Sequence, residues 1–315
     1  MSQQDLHVVV GAGGGAGSAV VRWLASQGKR VRAIARRPLT GLPSGVEFVT
    51  GDISNPAQAV EICRGATVIY MCANVLYHRW AQDFPPLITG ALKGAQAANA
   101  RLIFADNLYM YAPINGPITE QTPQEPTTRK GRLRVQLAEM LLTAHQRGDV
   151  RVAIARASDF YGPRANSTMG DRFITALLAN KALQWLGDVD APHTFTYLDD
   201  FAHGMAVLGD HEEAMGQVWH IPPRETITGR QFIDMACEEA GRPVKIMHVT
   251  RPMLWLAGLT SQDIRETAEM FYQFTRPFVL DGSKFREAFG DVATPYREAL
   301  RQTIAWYRQP QHRSA

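Results

Sequence analysis

Five glycines stand at positions 11, 13, 14, 15 and 17, directly behind the run Leu6 to Val10 and ahead of Val20, Val21 and Leu24. An apolar run, a glycine turn and a helical pattern, in that order, are what binding of a dinucleotide pyrophosphate requires. Gly11 permits the tight turn out of the strand, Gly14 lets the backbone approach the phosphates, and Gly17 lets the helix pack close. Gly15 and Ala16 belong to the helix opening, whose free N–H groups and positive dipole end attract phosphate. The next chemistry-bearing pair is Arg36 and Arg37. About 20 positions past the glycines, an acidic residue would hold the 2′-hydroxyl of NAD, and an arginine the 2′-phosphate of NADP. No Asp or Glu occurs between Gly28 and Pro43, and two guanidinium groups suit a phosphate dianion. The expected cofactor is therefore NADP in preference to NAD.

These residues need a scaffold. Extended apolar runs at Leu6–Val10, Lys29–Ala35, Val46–Val49, Ala66–Ala73, Arg101–Ala105 and Val150–Ala155 alternate with helical patterns. One helix opens at Asn55-Pro56, a second has Pro85 and Pro86 at its front, and a third covers Leu133–His145. That alternation predicts an α/β fold, a Rossmann-type doubly wound parallel sheet. Ligands of such sheets sit at the carboxyl ends of the strands. Asp52, Ile53, Ala73 and Asn74 are thus expected at the cofactor, and Tyr77, His78, Trp80, Ser158 and Tyr161 at a substrate. After the fifth strand, Asn107 could hydrogen-bond a carbonyl, and Tyr109 or Tyr111 could donate a proton, its pKa lowered by a nearby cation. His193, in a later turn, is a further substrate contact.

Beyond Gly162 the strict alternation stops. Residues 1–162 are expected to form the dinucleotide-binding domain, to which a helix at 199–208 and a seventh strand near 216–221 return. Segments 163–198 and 222–315 would make a smaller, mostly helical substrate lobe. In the 315-residue chain, 45% hydrophobic and 20% charged residues describe an ordinary globular protein. No run approaches the ~20 apolar residues of a membrane span. A net charge of +3 is too mild to point to nucleic acid. Cys63, Cys72 and Cys237 make neither a disulfide framework nor a zinc set, and the histidines show no ligand spacing, so no metal is expected. The N-terminal segment lacks an export pattern, and the expected location is cytoplasmic.

The chain resembles the extended short-chain dehydrogenase/reductase superfamily, of the epimerase/dehydratase kind. The resemblance rests on Gly11, Gly14 and Gly17, on Gly51-Asp52, and on the strand into Ala73-Asn74. It continues in Tyr161-Gly162-Pro163-Arg164, Tyr197 to Ala202, Asp281 to Lys284, and Phe289-Gly290. It implies acid–base catalysis by a tyrosine with a lysine four residues on, helped by a serine or threonine. None of the nine tyrosines here has that lysine. Lys130 and Arg134 stand where the pair is expected, Asn107 falls on the serine position, and Tyr111 on the tyrosine of the neighbouring segment. The chain reads as an atypical member. Three functions follow: an NADP-dependent oxidoreductase of a small carbonyl or sugar-like substrate with a non-standard proton donor, an inactive NADP-binding sensor, or an epimerase or lyase using the cofactor transiently. The resemblance also implies a homodimer through the helices at Pro86–Ala98 and Leu133–His145.

Overall fold

In the computed structural model residues 5–309 are described, the side chain of Asp263 apart. Leu6–Val10 forms β1, buried along its whole length, and Val68–Met71 forms β4, equally buried. Such uninterrupted burial is what a central strand of a parallel sheet, covered on both faces, demands. Around them lie β2 (Arg30–Ala35), β3 (Glu47–Thr50), β5 (Arg101–Asp106), β6 (Arg151–Arg156) and β7 (Val218–His220). All pairs are parallel, and the order is β7-β6-β5-β4-β1-β2-β3. The chain builds outward from β1 to β3, then returns to β4 on the other side of β1. The exits of β1 and β4 therefore flank the point of reversal, where open α/β sheets bind ligands.

Helices cover both faces. On one, Val20, Val21 and Leu24 of α1 (Gly15–Ser26) share a core with Phe201 and Met205 of α6 (Leu198–Asp210). On the other, Ile62 of α2 (Pro56–Ile62), Ile88 and Ala91 of α3 (Trp80–Ala98), and Leu137 and Leu141 of α4 (Arg129–Gln146) share the second core. Asn55 caps α2 by accepting from the Ala57 and Gln58 amides, and the Thr128 side chain caps α4. The expected start of α3 is corrected. A single 3-10 turn, Tyr77–Arg79, runs directly into a helix beginning at Trp80, so Pro85 and Pro86 lie inside it rather than at its front. Interior prolines remove ladder donors. Burial of Phe84, Leu87, Ile88, Ala91 and Ala95 carries the helix through.

A third core belongs to the C-terminal part. It unites α5 (Asp171–Leu178), α7 (Gly229–Ala240) and α11 (Tyr296–Arg308) through Phe173, Phe232, Leu300 and their neighbours. Short strands absent from the sequence reading, Leu183–Leu186 beside Ile246–Val249, extend it. The helices α8 (Arg251–Gly258) and α9 (Gln262–Ala268) pack together, and α9 lies against the Tyr77–Arg79 turn. Ser283–Phe289 forms α10. Among the described residues no helix is long and apolar enough to cross a membrane.

Candidate active site

The turn after β1 is shaped by two close approaches. Gly11 has a φ of +83°, and a Cβ there would lie 2.5 Å from Ala73 Cα, at the exit of β4. A Cβ on Gly17 would lie 2.2 Å from the Gly11 carbonyl oxygen. Strand exit, turn and helix thus meet at distances only glycine allows. Gly14 is the N-cap of α1, its amide donating to the Gly11 oxygen at 3.0 Å. No side chain caps α1, and no acid occupies its first turn. The first N–H groups and the positive helix end are left for an anion from outside the chain. This cradle fits a pyrophosphate.

From the cradle a cleft of 1070 Å³ runs across the strand exits. Gly11, Gly14, Gly15 and Ala16 line its start, followed by Arg36, Arg37, Asp52, Ile53, Ala73 and Asn74. Gly17 supports the turn from behind and is buried. Arg36 and Arg37 are exposed, and among the described residues neither has a protein hydrogen bond or ion pair. Asp52 accepts from the Ser54 amide at 2.9 Å and hydroxyl at 2.7 Å, which fixes the loop.

The far half of the cleft is lined by Tyr77, Trp80, Asn107, Tyr109, Arg134, Ser158 and Asp159. The phenols of Tyr77 and Tyr109 are 2.7 Å apart. Trp80 stacks on Tyr109 at 5.9 Å and donates its indole N–H to the Val75 carbonyl. The Asn107 side-chain oxygen accepts from the Tyr109 amide at 3.1 Å and holds that loop. The Arg134 guanidinium lies 4.3 Å from the Trp80 ring and 4.4 Å from Phe84, and Nη1 donates to Asp106. Two buried polar atoms of this wall lack a protein partner: Arg134 Nε and Ser158 Oγ. Buried polar atoms without a partner are rare, and these two belong to residues that line the cleft.

Other expected site residues lie elsewhere. Tyr111 is 1% exposed and off the cleft. It accepts from Arg156 Nη1 at 2.6 Å and donates to His220 Nε2 at 3.0 Å, while His220 Nδ1 donates to the Asp281 carbonyl. Arg156 Nε in turn donates to Asp106 at 3.0 Å. Burial, then Arg156, pushes the His220 pKa down to about 3, so its ring is neutral. Tyr161 is buried in the third core against Tyr197, Phe232 and Tyr296. His193, 2% exposed, lies behind the wall with Nε2 2.8 Å from Asp159 Oδ2, and reaches the cleft only through that carboxylate. His78 is off the lining. Lys130 is also withdrawn, 3% exposed, and bound to Glu266 and Glu269 of α9.

The expected lowering of the tyrosine pKa is overturned. Burial raises Tyr109 well above the usual phenol value, and the opposing effect of Arg134 is smaller. Tyr77 and Tyr111 are raised for the same reason. Both cleft phenols are therefore protonated at neutral pH. The sequence reading missed the opposite wall, Thr267, Met270, Gln273, Phe274 and Phe278. Its signal was the aromatic spacing of Phe271, Tyr272, Phe274 and Phe278.

Residues 7–221 match the NAD dependent epimerase/dehydratase family. The chain belongs to that family. A similar family member is the dTDP-glucose 4,6-dehydratase of Streptomyces griseus, 22% identical, with 98% of this chain and 94% of that one covered. Among solved structures, the dTDP-glucose 4,6-dehydratase of Streptomyces venezuelae, with NAD and TYD bound, superposes with a TM-score of 0.78 at 20% identity, covering 97% of this chain and 98% of that one. The UDP-glucuronic acid 4-epimerase of Bacillus cereus, with UDP-glucuronic acid and NAD, gives 0.77 at 19%, covering 96% and 99%. At such identities the likeness of this epimerase/dehydratase-family chain to the two structures is one of fold.

Proposed function

We propose that this chain is an NADP-dependent oxidoreductase that reduces a small carbonyl or sugar-like substrate, with Tyr109 as the proton donor. The observation that carries the reading is one continuous cleft with an uncapped helix N-terminus at one end and a protonated phenol pair at the other. The first turn of α1 would hold the pyrophosphate, and Arg36 and Arg37 the 2′-phosphate. The two solved neighbours were determined with NAD. The exposed arginine pair, which makes no hydrogen bond or ion pair among the described residues, is what favours NADP in this chain. The nicotinamide supplies the hydride when bound.

The chain's own residues supply the rest. Ser158 Oγ, lacking a protein partner, hydrogen-bonds the substrate oxygen. Arg134 contributes positive charge near the oxygen as negative charge develops there. Tyr109 gives its proton to that oxygen, and the Tyr77 phenol, 2.7 Å away, donates a hydrogen bond to the phenolate left behind. Trp80 and Phe84 hold the guanidinium in place. Burial keeps the Tyr109 phenol protonated, the form that a proton donor needs.

Tyr109→Phe tests the reading. The variant is expected to bind NADPH as tightly as the parent, by fluorescence titration, and to lose about 100-fold in turnover, the scale of general acid catalysis. Turnover within twofold of the parent, on about equal NADPH affinity, would remove Tyr109 from the mechanism.

A further inference from the structure

The substrate half of the cleft has an unusual charge balance. The wall contributed by residues 267–278 consists of Thr267, Met270, Gln273, Phe274 and Phe278, none of them ionisable, and the cleft-lining loop 165–168 carries no charge either. Facing the same space is the Asp159 carboxylate, close enough to Tyr77 and Tyr109 to help raise both phenol pKa values. Its His193 partner is sealed among Phe195, Phe274 and Phe278. The cations of the cleft are committed elsewhere. Arg36 and Arg37 stand at the exit of β2, in the cofactor half. Arg79, at the rim, is tied to both oxygens of Asp83 at 2.6 and 2.9 Å. Arg134 lies against Trp80 and Phe84 with Nη1 on Asp106, and its Nε is buried without a protein partner. One guanidinium, already paired with Asp106, offsets little of the charge a diphosphate brings on leaving water.

We infer that the substrate is an uncharged, predominantly apolar carbonyl compound, an aromatic or alicyclic ketone or aldehyde, and not a nucleotide-linked sugar. The inference rests on the NADP reading above. Apolar walls with a few polar groups at one end bind such molecules by burying their surface and orienting one oxygen. Met270, Phe274 and Phe278 form that wall, and Tyr109, Arg134 and Ser158 are the polar end. A nucleotide diphosphate would leave water to face Asp159, a like charge.

The experiment begins with NADPH and the full chain. Saturable NADPH binding by fluorescence establishes the cofactor; failure to bind overturns the cofactor reading and this inference together. The NADPH-loaded protein is then titrated calorimetrically with UDP-glucose, dTDP-glucose, 1-tetralone and acetophenone. The expected result is saturable binding of at least one ketone, about tenfold or more tighter than either nucleotide sugar. Nucleotide-sugar binding tighter than that of both ketones, or no saturable ketone binding, overturns the inference and leaves the cofactor reading standing. Asp159→Asn supplies an independent readout, since it removes the charge and keeps an acceptor for His193. It should tighten UDP-glucose binding several-fold, roughly three to ten, and leave ketone affinity within about twofold. No change for UDP-glucose would show that the carboxylate is not what excludes it.

Discussion

At the scale of single residues, the cleft separates groups that face ligand from groups that hold the wall. Arg36 and Arg37 are exposed and make no hydrogen bond or ion pair among the described residues, so their main contribution is expected through a ligand. The double replacement by alanine should weaken NADPH binding about 10- to 100-fold and NADH binding less than about twofold, since only NADPH carries the second phosphate. Equal losses for both cofactors would sink the assignment. Tyr111 illustrates the opposite role. With Asp106, Arg156 and His220 it forms a buried chain of hydrogen bonds behind the wall. His220 has a folded pKa near 3, against an unfolded value near 6.5. Its neutral ring contributes stability in full above pH 6.5, and that contribution is lost as pH falls through the window towards 3. At pH 5 the loss is about 2 kcal/mol. Urea unfolding of the parent and of His220→Gln should show a steeper fall in stability between pH 7 and 5 for the parent. Parallel slopes would exclude the histidine as the source.

At the scale of elements, the fit of β1, the glycine turn and α1 is set by backbone contact. Alanine at position 17 would bring its Cβ to 2.2 Å from the Gly11 carbonyl, a backbone atom that cannot swing aside. The turn must open. Gly17→Ala is expected to weaken NADPH binding at least about tenfold and to lower the melting temperature by several degrees, roughly four or more. An unchanged affinity and melting point would mean the turn has slack. This element was legible in the sequence because strand, glycine and helix are consecutive and each leaves its own pattern. Most of the seven-stranded sheet was legible for the same reason, its central strands being compact apolar runs. What escaped was non-local. Leu183–Leu186 and Ile246–Val249 pair across about 60 residues, and no local pattern announces their meeting. Tyr109 and Tyr111 are two residues apart on one loop, yet one lines the cleft and the other is sealed beneath it. Their types are identical, and only the packing of Leu108, Met110 and Tyr111 into a small core with Ile118, Phe278 and Leu280 tells them apart. The sign of the phenol pKa shift was hidden likewise: the cation was foreseeable, the burial that outweighs it was not.

At the scale of the whole molecule, the substrate wall depends on how the C-terminal helices are held against the sheet. The fastening lies beside the cleft. Lys130, on the first turn of α4 and 3% exposed, is bound by Glu266 and Glu269, and its ammonium lies 5.3 Å from the Tyr77 ring centre. Arg129 adds a side-chain contact to Glu266 at 3.2 Å and its backbone amide to Glu269. The residues next to these carboxylates, Thr267 and Met270, face the cleft. Withdrawing the lysine charge would leave two carboxylates, 15% and 18% exposed, without their shared partner. Their cheapest relief is to move into water, which carries α9 and the wall with it. Lys130→Met keeps most of the apolar stem and removes the ammonium, with its contact to the Tyr77 ring, so the effect reports the charge. Amide hydrogen exchange in 262–274 is expected to rise about tenfold or more, a local opening of roughly 1.4 kcal/mol or above, while β1 and α1 keep their protection. NADPH affinity, determined at the far end of the cleft, should stay within about twofold, and substrate KM should rise. If exchange in 262–274 and KM both match the parent, the wall is held by its apolar contacts alone; if β1 and α1 lose protection as well, Lys130 supports the whole fold and not the closure of the cleft.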